Sequence, residues 1–138
     1  MRAWCGLILA LLVGCGPLVP ATVPPQLSHT PGTFVTISAD QISTDAYRLS
    51  YPLGWRVVKL NTAAQPPAFV IASPDDAVQI AIGDQAAEAL RPSEGTISLE
   101  AERVLPTGRL SVRLIAPPER QAEAEAHLRR LLDSLRPP

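Results

Sequence analysis

Apolar and polar positions divide the chain into three stretches with different periods. Leu7 to Val13 is an unbroken apolar run, preceded by one positive charge at Arg2 and ended by Gly14, Cys15, Gly16 and Pro17. From Gly16 to Thr33 there is no period at all. Pro17, Pro20, Pro24, Pro25 and Pro31 remove backbone donors and fix φ, so neither a helix nor a sheet interior forms there. Beyond Thr33 the chain turns to alternation with period two, which predicts half-buried strands.

The alternating segments come in order. Phe34 to Ser38 reads as a first strand and Asp40 to Asp45 as a polar turn. Tyr47, Leu49 and Tyr51 share one face, with Arg48 and Ser50 on the other. Pro52-Leu53-Gly54 then reads as a type I turn with Pro at its second position, returning Trp55 to Leu60 as the partner strand. Gln65-Pro66-Pro67 is a loop. Ala68 to Ala72 is apolar throughout, as expected of a central strand covered on both faces. Pro74-Asp75-Asp76 is a tight turn, and Val78, Ile80 and Ile82 alternate in the next strand. Asp84 is placed to cap a short Ala-rich segment that Pro92 ends.

A last hairpin pairs Ile97, Leu99 and Ala101 with Leu110, Val112 and Leu114. A two-residue loop at Thr107-Gly108 sets Leu105 opposite Leu110 and makes Glu102–Arg113 a cross-strand ion pair. A helix from about Pro118 to Arg136 closes the chain. Ala124, Leu128, Leu131, Leu132 and Leu135 form its apolar stripe, Glu125 and Arg129 are i,i+4 partners, and His127 sits among charged neighbours on its surface. The fold class expected is α+β, one antiparallel sheet of about six or seven strands packed against a C-terminal helix.

Composition narrows this further. In 138 residues the formal net charge is −1, and no basic block points to nucleic acid or to anionic lipid. Lys59 is the only Lys; the other basic residues are Arg. The two cysteines, Cys5 and Cys15, both lie near the start, so the domain beyond them has no disulfide and no thiolate metal site. The apolar run is too short to span a bilayer, which takes roughly 20 residues. Its positive start, short apolar centre and small-residue end are those of a secretory signal peptide.

Leu12-Val13-Gly14-Cys15 resembles the lipobox of bacterial lipoproteins, position by position. The resemblance implies that residues 1–14 are a lipoprotein signal peptide, removed by cleavage before Cys15. It implies that Cys15 is the lipidation site and the new N-terminus, carrying a covalent diacylglycerol on its sulfur, with palmitate as the type of acyl chain. Two acyl chains hold a protein on a membrane stably where one does so marginally. Residues 15–33 are then the lipidated N-terminus and a Pro-rich tether. Extended at ~3.1 Å per residue, it reaches roughly 50 Å from the bilayer. His29, within it, reads as a solvated side chain. A Pro-rich ligand for a partner domain is the alternative use of this stretch.

A second resemblance covers residues 34–138. Tyr51-Pro52-Leu53-Gly54-Trp55 between two strands, the apolar strand ending in Ser73-Pro74 and the final helix ending in Ser134-Leu135 are similar to PsbP-like domains. These occur in extrinsic photosystem II subunits and in bacterial lipoproteins. The resemblance implies an antiparallel sheet packed against helices. The matching residues make a turn and bury an aromatic ring, so they imply a fold and no activity, and nothing in them points to manganese, calcium or chloride retention.

Nucleophilic catalysis needs a Ser or Cys with a held His base. The only histidines are His29 and His127, and no Gly-x-Ser-x-Gly occurs. Asp75-Asp76 reads as a solvated turn, and Glu100 and Glu102 as strand carboxylates that opposing Arg residues pair. No catalytic, cofactor-binding or metal-ligating residue is expected, and the chain is not expected to be an enzyme. The expected function is a non-catalytic binding or accessory module of the cell envelope, on the extracytoplasmic face of a membrane. Its partners are the bilayer, through the lipid, and a membrane protein; nucleic acid is not among them. A small-molecule or lipid-binding envelope protein is the second reading, and an envelope enzyme of unrecognised type the third.

Overall fold

Pro52-Leu53-Gly54 does not close a hairpin; it carries the chain from one sheet into another. The computed structural model describes residues 34–60 and 66–138. The signal peptide 1–14, Cys15 and the tether 15–33 lie outside the described residues. The elements are β1 (Val35–Ile37), β2 (Gln41–Thr44), β3 (Arg48–Ser50), β4 (Arg56–Lys59), β5 (Phe69–Ala72), β6 (Gln79–Ile82), α1 (Asp84–Ala89), β7 (Ile97–Leu105), β8 (Gly108–Ala116), a 3-10 turn at Pro118–Arg120 and α2 (Gln121–Ser134). β1-β2-β3 form one antiparallel sheet and β4-β5-β6-β8-β7 another. The α+β class with a C-terminal helix holds. The single sheet of six or seven strands does not, because β3 takes β2 as its partner and leaves β4 to β5.

β2 lies in the stretch that reads as a polar turn. Only Ile42 and Thr44 point inward, too short an alternation to stand out, and Thr44 is buried because its hydroxyl replaces missing backbone partners. It donates to the Tyr47 carbonyl (3.0 Å) and accepts from the Ala46 and Tyr47 amides (3.1 and 2.9 Å), folding the β2–β3 corner on itself. At the 52–55 turn the Trp55 amide donates to the Pro52 carbonyl, so Pro52 is the first residue and Gly54, at φ +84°, the third. That is the type II position, which requires positive φ, and not the type I turn of the sequence pattern.

The main core lies on the inner face of the five-stranded sheet. Phe69, Ile71, Ile80, Ile82, Leu110 and Leu114 meet Ala124, Leu128 and Leu131 of α2 and Ile42, Tyr47, Leu49 and Tyr51 of the small sheet. Each fully buried Leu, Ile or Phe contributes about 1.5–3 kcal/mol. The Tyr47 hydroxyl, deep in this core, donates to the Pro67 carbonyl (2.9 Å) and ties the two sheets together. On the outer face α1 covers Ala68, Val70 and Ala81 with its own Ala86 and Ala87. β5 is therefore covered on both faces, as its unbroken apolar run suggests. Asp84 does not cap α1. Gly83 occupies that position at φ +93°, where a Cβ would lie 3.2 Å from the Ala68 Cβ, and Asp84 instead accepts from the Ser111 hydroxyl.

The β7–β8 hairpin keeps the expected faces but shifts by one pair. Leu105 lies opposite Gly108, leaving Pro106-Thr107 as the loop; Glu100 faces Arg113 and Glu102 faces Ser111. Pro106 has no N–H to give a closing strand pair, so it takes the first loop position. The ion pair at Arg113 is accordingly with Glu100 (2.7 Å) and not Glu102, which lies 3.9 Å from Arg109. Among the described residues no helix is long and apolar enough to cross a membrane.

Candidate functional site

A connected set of titratable side chains runs along α2 and its two ends. At the N-terminal end the 3-10 turn delivers Arg120, whose guanidinium donates twice to Glu123 (2.8 and 2.6 Å) and once to Asp75 (2.6 Å). Asp75 also accepts from the Ser73 hydroxyl (2.5 Å) and the Ala77 amide (3.2 Å). Asp75 and Asp76 are thus more than a solvated turn. The first is bound to α2 through Arg120, and the second pairs with Arg56 of β4. Hydrogen bonds from Ser73 and the Ala77 amide, with Arg120 beside them, hold the Asp75 carboxyl below its usual range. Arg120 does the same to Glu123, with His127 adding to it.

His127 continues this chain. Its Nε2 lies 3.4 Å from Glu123, and its ring rests on Trp55 with centroids 4.8 Å apart, tilted by 60°. The sequence pattern puts His127 on the surface; the structure leaves its side chain only 16 % exposed, with Nδ1 buried and without a hydrogen-bond partner. Trp55, brought over by the type II turn, covers it. Beside it is a cleft of about 220 Å³, walled by Ser50, Tyr51, Pro52, His127, Arg130 and Leu131. The Tyr51 hydroxyl donates to the Ser38 carbonyl and stays protonated, since burial and then Asp40 push its pKa up.

At the C-terminal end of α2 the chain pairs with β3. Arg48 and Arg136 exchange backbone hydrogen bonds (2.8 and 2.9 Å), and the Ser50 amide donates to the Ser134 hydroxyl (2.9 Å). The expected Glu125–Arg129 pair does not form; Glu125 accepts from Gln121 (2.8 Å). On the outer sheet face, Arg113 grips Glu100 and donates to the Ala87 and Leu90 carbonyls, closing the C-terminal end of α1. Glu100 and Glu102 are thereby matched to Arg113 and Arg109, as the strand pattern suggests.

The two carboxyls with shifted pKa are both lowered, Asp75 first by the Ser73 hydroxyl and the Ala77 amide with Arg120 beside them, and Glu123 first by Arg120. Among the described residues no three His, Cys, Asp or Glu side chains gather as a metal cage. Cys15 and His29 lie outside the described residues. What sequence reasoning missed is the return of Arg136, with Arg130 six residues before it, to Arg48 of β3, far away along the chain and marked by no motif. No protein-family model, no curated protein and no solved structure matches the chain.

Proposed function

We propose that the chain is a bacterial lipoprotein: a non-catalytic binding or accessory module of the cell envelope, held by a diacylglycerol on Cys15 at the extracytoplasmic face of a membrane. The observation that carries the reading is Leu12-Val13-Gly14-Cys15 closing a short apolar run that starts with one positive charge. The Pro-rich residues after it fit a spacer. Helices on both faces of an antiparallel sheet agree with the PsbP-like resemblance around Tyr51-Pro52-Leu53-Gly54-Trp55.

The test of the anchor is Cys15→Ala expressed in a bacterial host with radiolabelled palmitate. The wild-type chain takes up label and is processed to a shorter form; the variant does neither. Unchanged labelling of the variant refutes the site. Crosslinking in intact cells, followed by capture of the chain, then identifies the membrane partner.

A further inference from the structure

We infer that Arg48, Arg130 and Arg136 form a binding site for a phosphate group, with the adjoining cleft taking the organic part that carries it. Arg48 and Arg136 are the two members of an isolated antiparallel bridge and bond each other through both backbone groups. Residues paired this way put their side chains on the same side of the ribbon, about 5.5 Å apart at the backbone. Arg130 lies one helical turn before Ser134, whose hydroxyl is bonded to Ser50, two residues along β3 from Arg48. Arg130 and Ser50 share a wall of the cleft. The backbone thus sets Arg48 and Arg136 on one side of the Ser50–Ser134 contact and Arg130, one helical turn away, on the other.

None of the three is in an ion pair among the described residues, a state they share with Arg91, Arg103 and Arg129; what sets them apart is that the backbone bridge pairs two of them and puts the third one turn away. Asp133, the acid next along the helix, lines a different groove with Arg103 and Arg129. Two of the carbonyls at this end of α2 are also taken: Leu131 accepts from Ser134, and Leu132 from Arg103 and the Leu135 amide. Like charges facing each other across a ladder oppose folding. An oxyanion reverses that sign, and guanidinium forks match phosphate oxygens two at a time. The cleft beside them, with Tyr51, Pro52 and Leu131 as its apolar walls and about 220 Å³ of space, has room for a glycerol-sized group. The ligand is a phosphate monoester or diester. It is either free or on a lipid headgroup, and the second source rests on the membrane anchorage proposed above.

The test uses the full chain purified in neutral-detergent micelles. Inorganic phosphate and glycerol 3-phosphate are titrated by calorimetry, and thermal unfolding is compared in micelles with and without phosphatidylglycerol. Saturable binding is expected, weakened roughly tenfold by Arg130→Gln and more than a hundredfold by the triple Gln variant. Arg91→Gln, elsewhere on the surface, leaves it unchanged. Arg130→Gln alone, on an exposed helix face, keeps the test valid if the triple variant fails to fold. A rise in Tm with phosphatidylglycerol assigns the headgroup; binding of the soluble phosphates without that rise assigns a free ligand. No binding of any probe, or a triple variant that folds and binds like the wild type, overturns the site. The intact mass of the same sample reports separately whether Cys15 carries lipid.

Discussion

The two ends of α2 use arginine in opposite ways. At the N-terminal end Arg120 is saturated by Glu123 and Asp75, and Asp75 by Ser73 and Ala77, so the β5–β6 turn is fastened to the helix. At the C-terminal end Arg48 and Arg136 are held together by their backbones while their charges find no counter-ion among the described residues. One end consumes its charge in the fold; the other presents it. In a domain of near-zero net charge, it is the pairing of cations that separates structural from available arginines.

The largest expected effect lies between the ends. Leu128 is 8 % exposed and anchors the middle of the helix, so Leu128→Ala should cost about 2–5 kcal/mol in chemical denaturation and loosen both ends together in hydrogen exchange. Retained protection at either end of α2 would show that the ends are held independently of the stripe. The next pair of variants separates the ends. Arg120→Ala should lower Tm and leave phosphate affinity within about twofold, since it removes a fastening and not a ligand contact. Arg136→Ala should do the reverse, weakening phosphate binding while stability rises by a few tenths of a kcal/mol. Identical phenotypes would erase the distinction.

Acid sharpens the same contrast. Asp75 and Glu123 have lowered carboxyl pKa values in the folded chain, so the unfolded chain binds more protons as the pH falls. Their contribution is complete above the unfolded carboxylate range near about 4 and is lost as pH drops through the folded values. Urea midpoints measured down the pH scale should fall in that window, less steeply in Arg120→Ala. The smallest effect is on the outer sheet face. A double-mutant cycle should find about 0.2–1 kcal/mol of coupling between Glu100 and Arg113 and none between Glu102 and Arg113.

Much of the fold is legible in side-chain alternation, and the failures are physical. Tyr47, Leu49 and Tyr51 read as one buried face and are one; so do Leu110, Val112 and Leu114, and Ala124, Leu128 and Leu131 of the α2 stripe, whose Leu132 and Leu135 are only partly buried. β2 escapes because Thr44, a polar residue, is buried by hydrogen bonding and not by hydrophobicity. The two-sheet arrangement escapes because a Pro-x-Gly turn looks the same whether its flanking strands pair with each other or with different neighbours. The hairpin faces survive a register error because a shift of one pair moves each residue by an even number of places. The Arg48–Arg130–Arg136 grouping has no local signature, since only the return of the chain end to β3 brings those residues together. Cys15, in contrast, is legible only from sequence, through the four residues that end the apolar run.

The most direct measurement is the mass of the N-terminal peptide of the chain recovered from bacterial membranes. Anchorage through the lipobox predicts Cys15 as the first residue, bearing a diacylglycerol on sulfur. A chain that keeps Met1, or one cut elsewhere with a free Cys15 thiol, would contradict it.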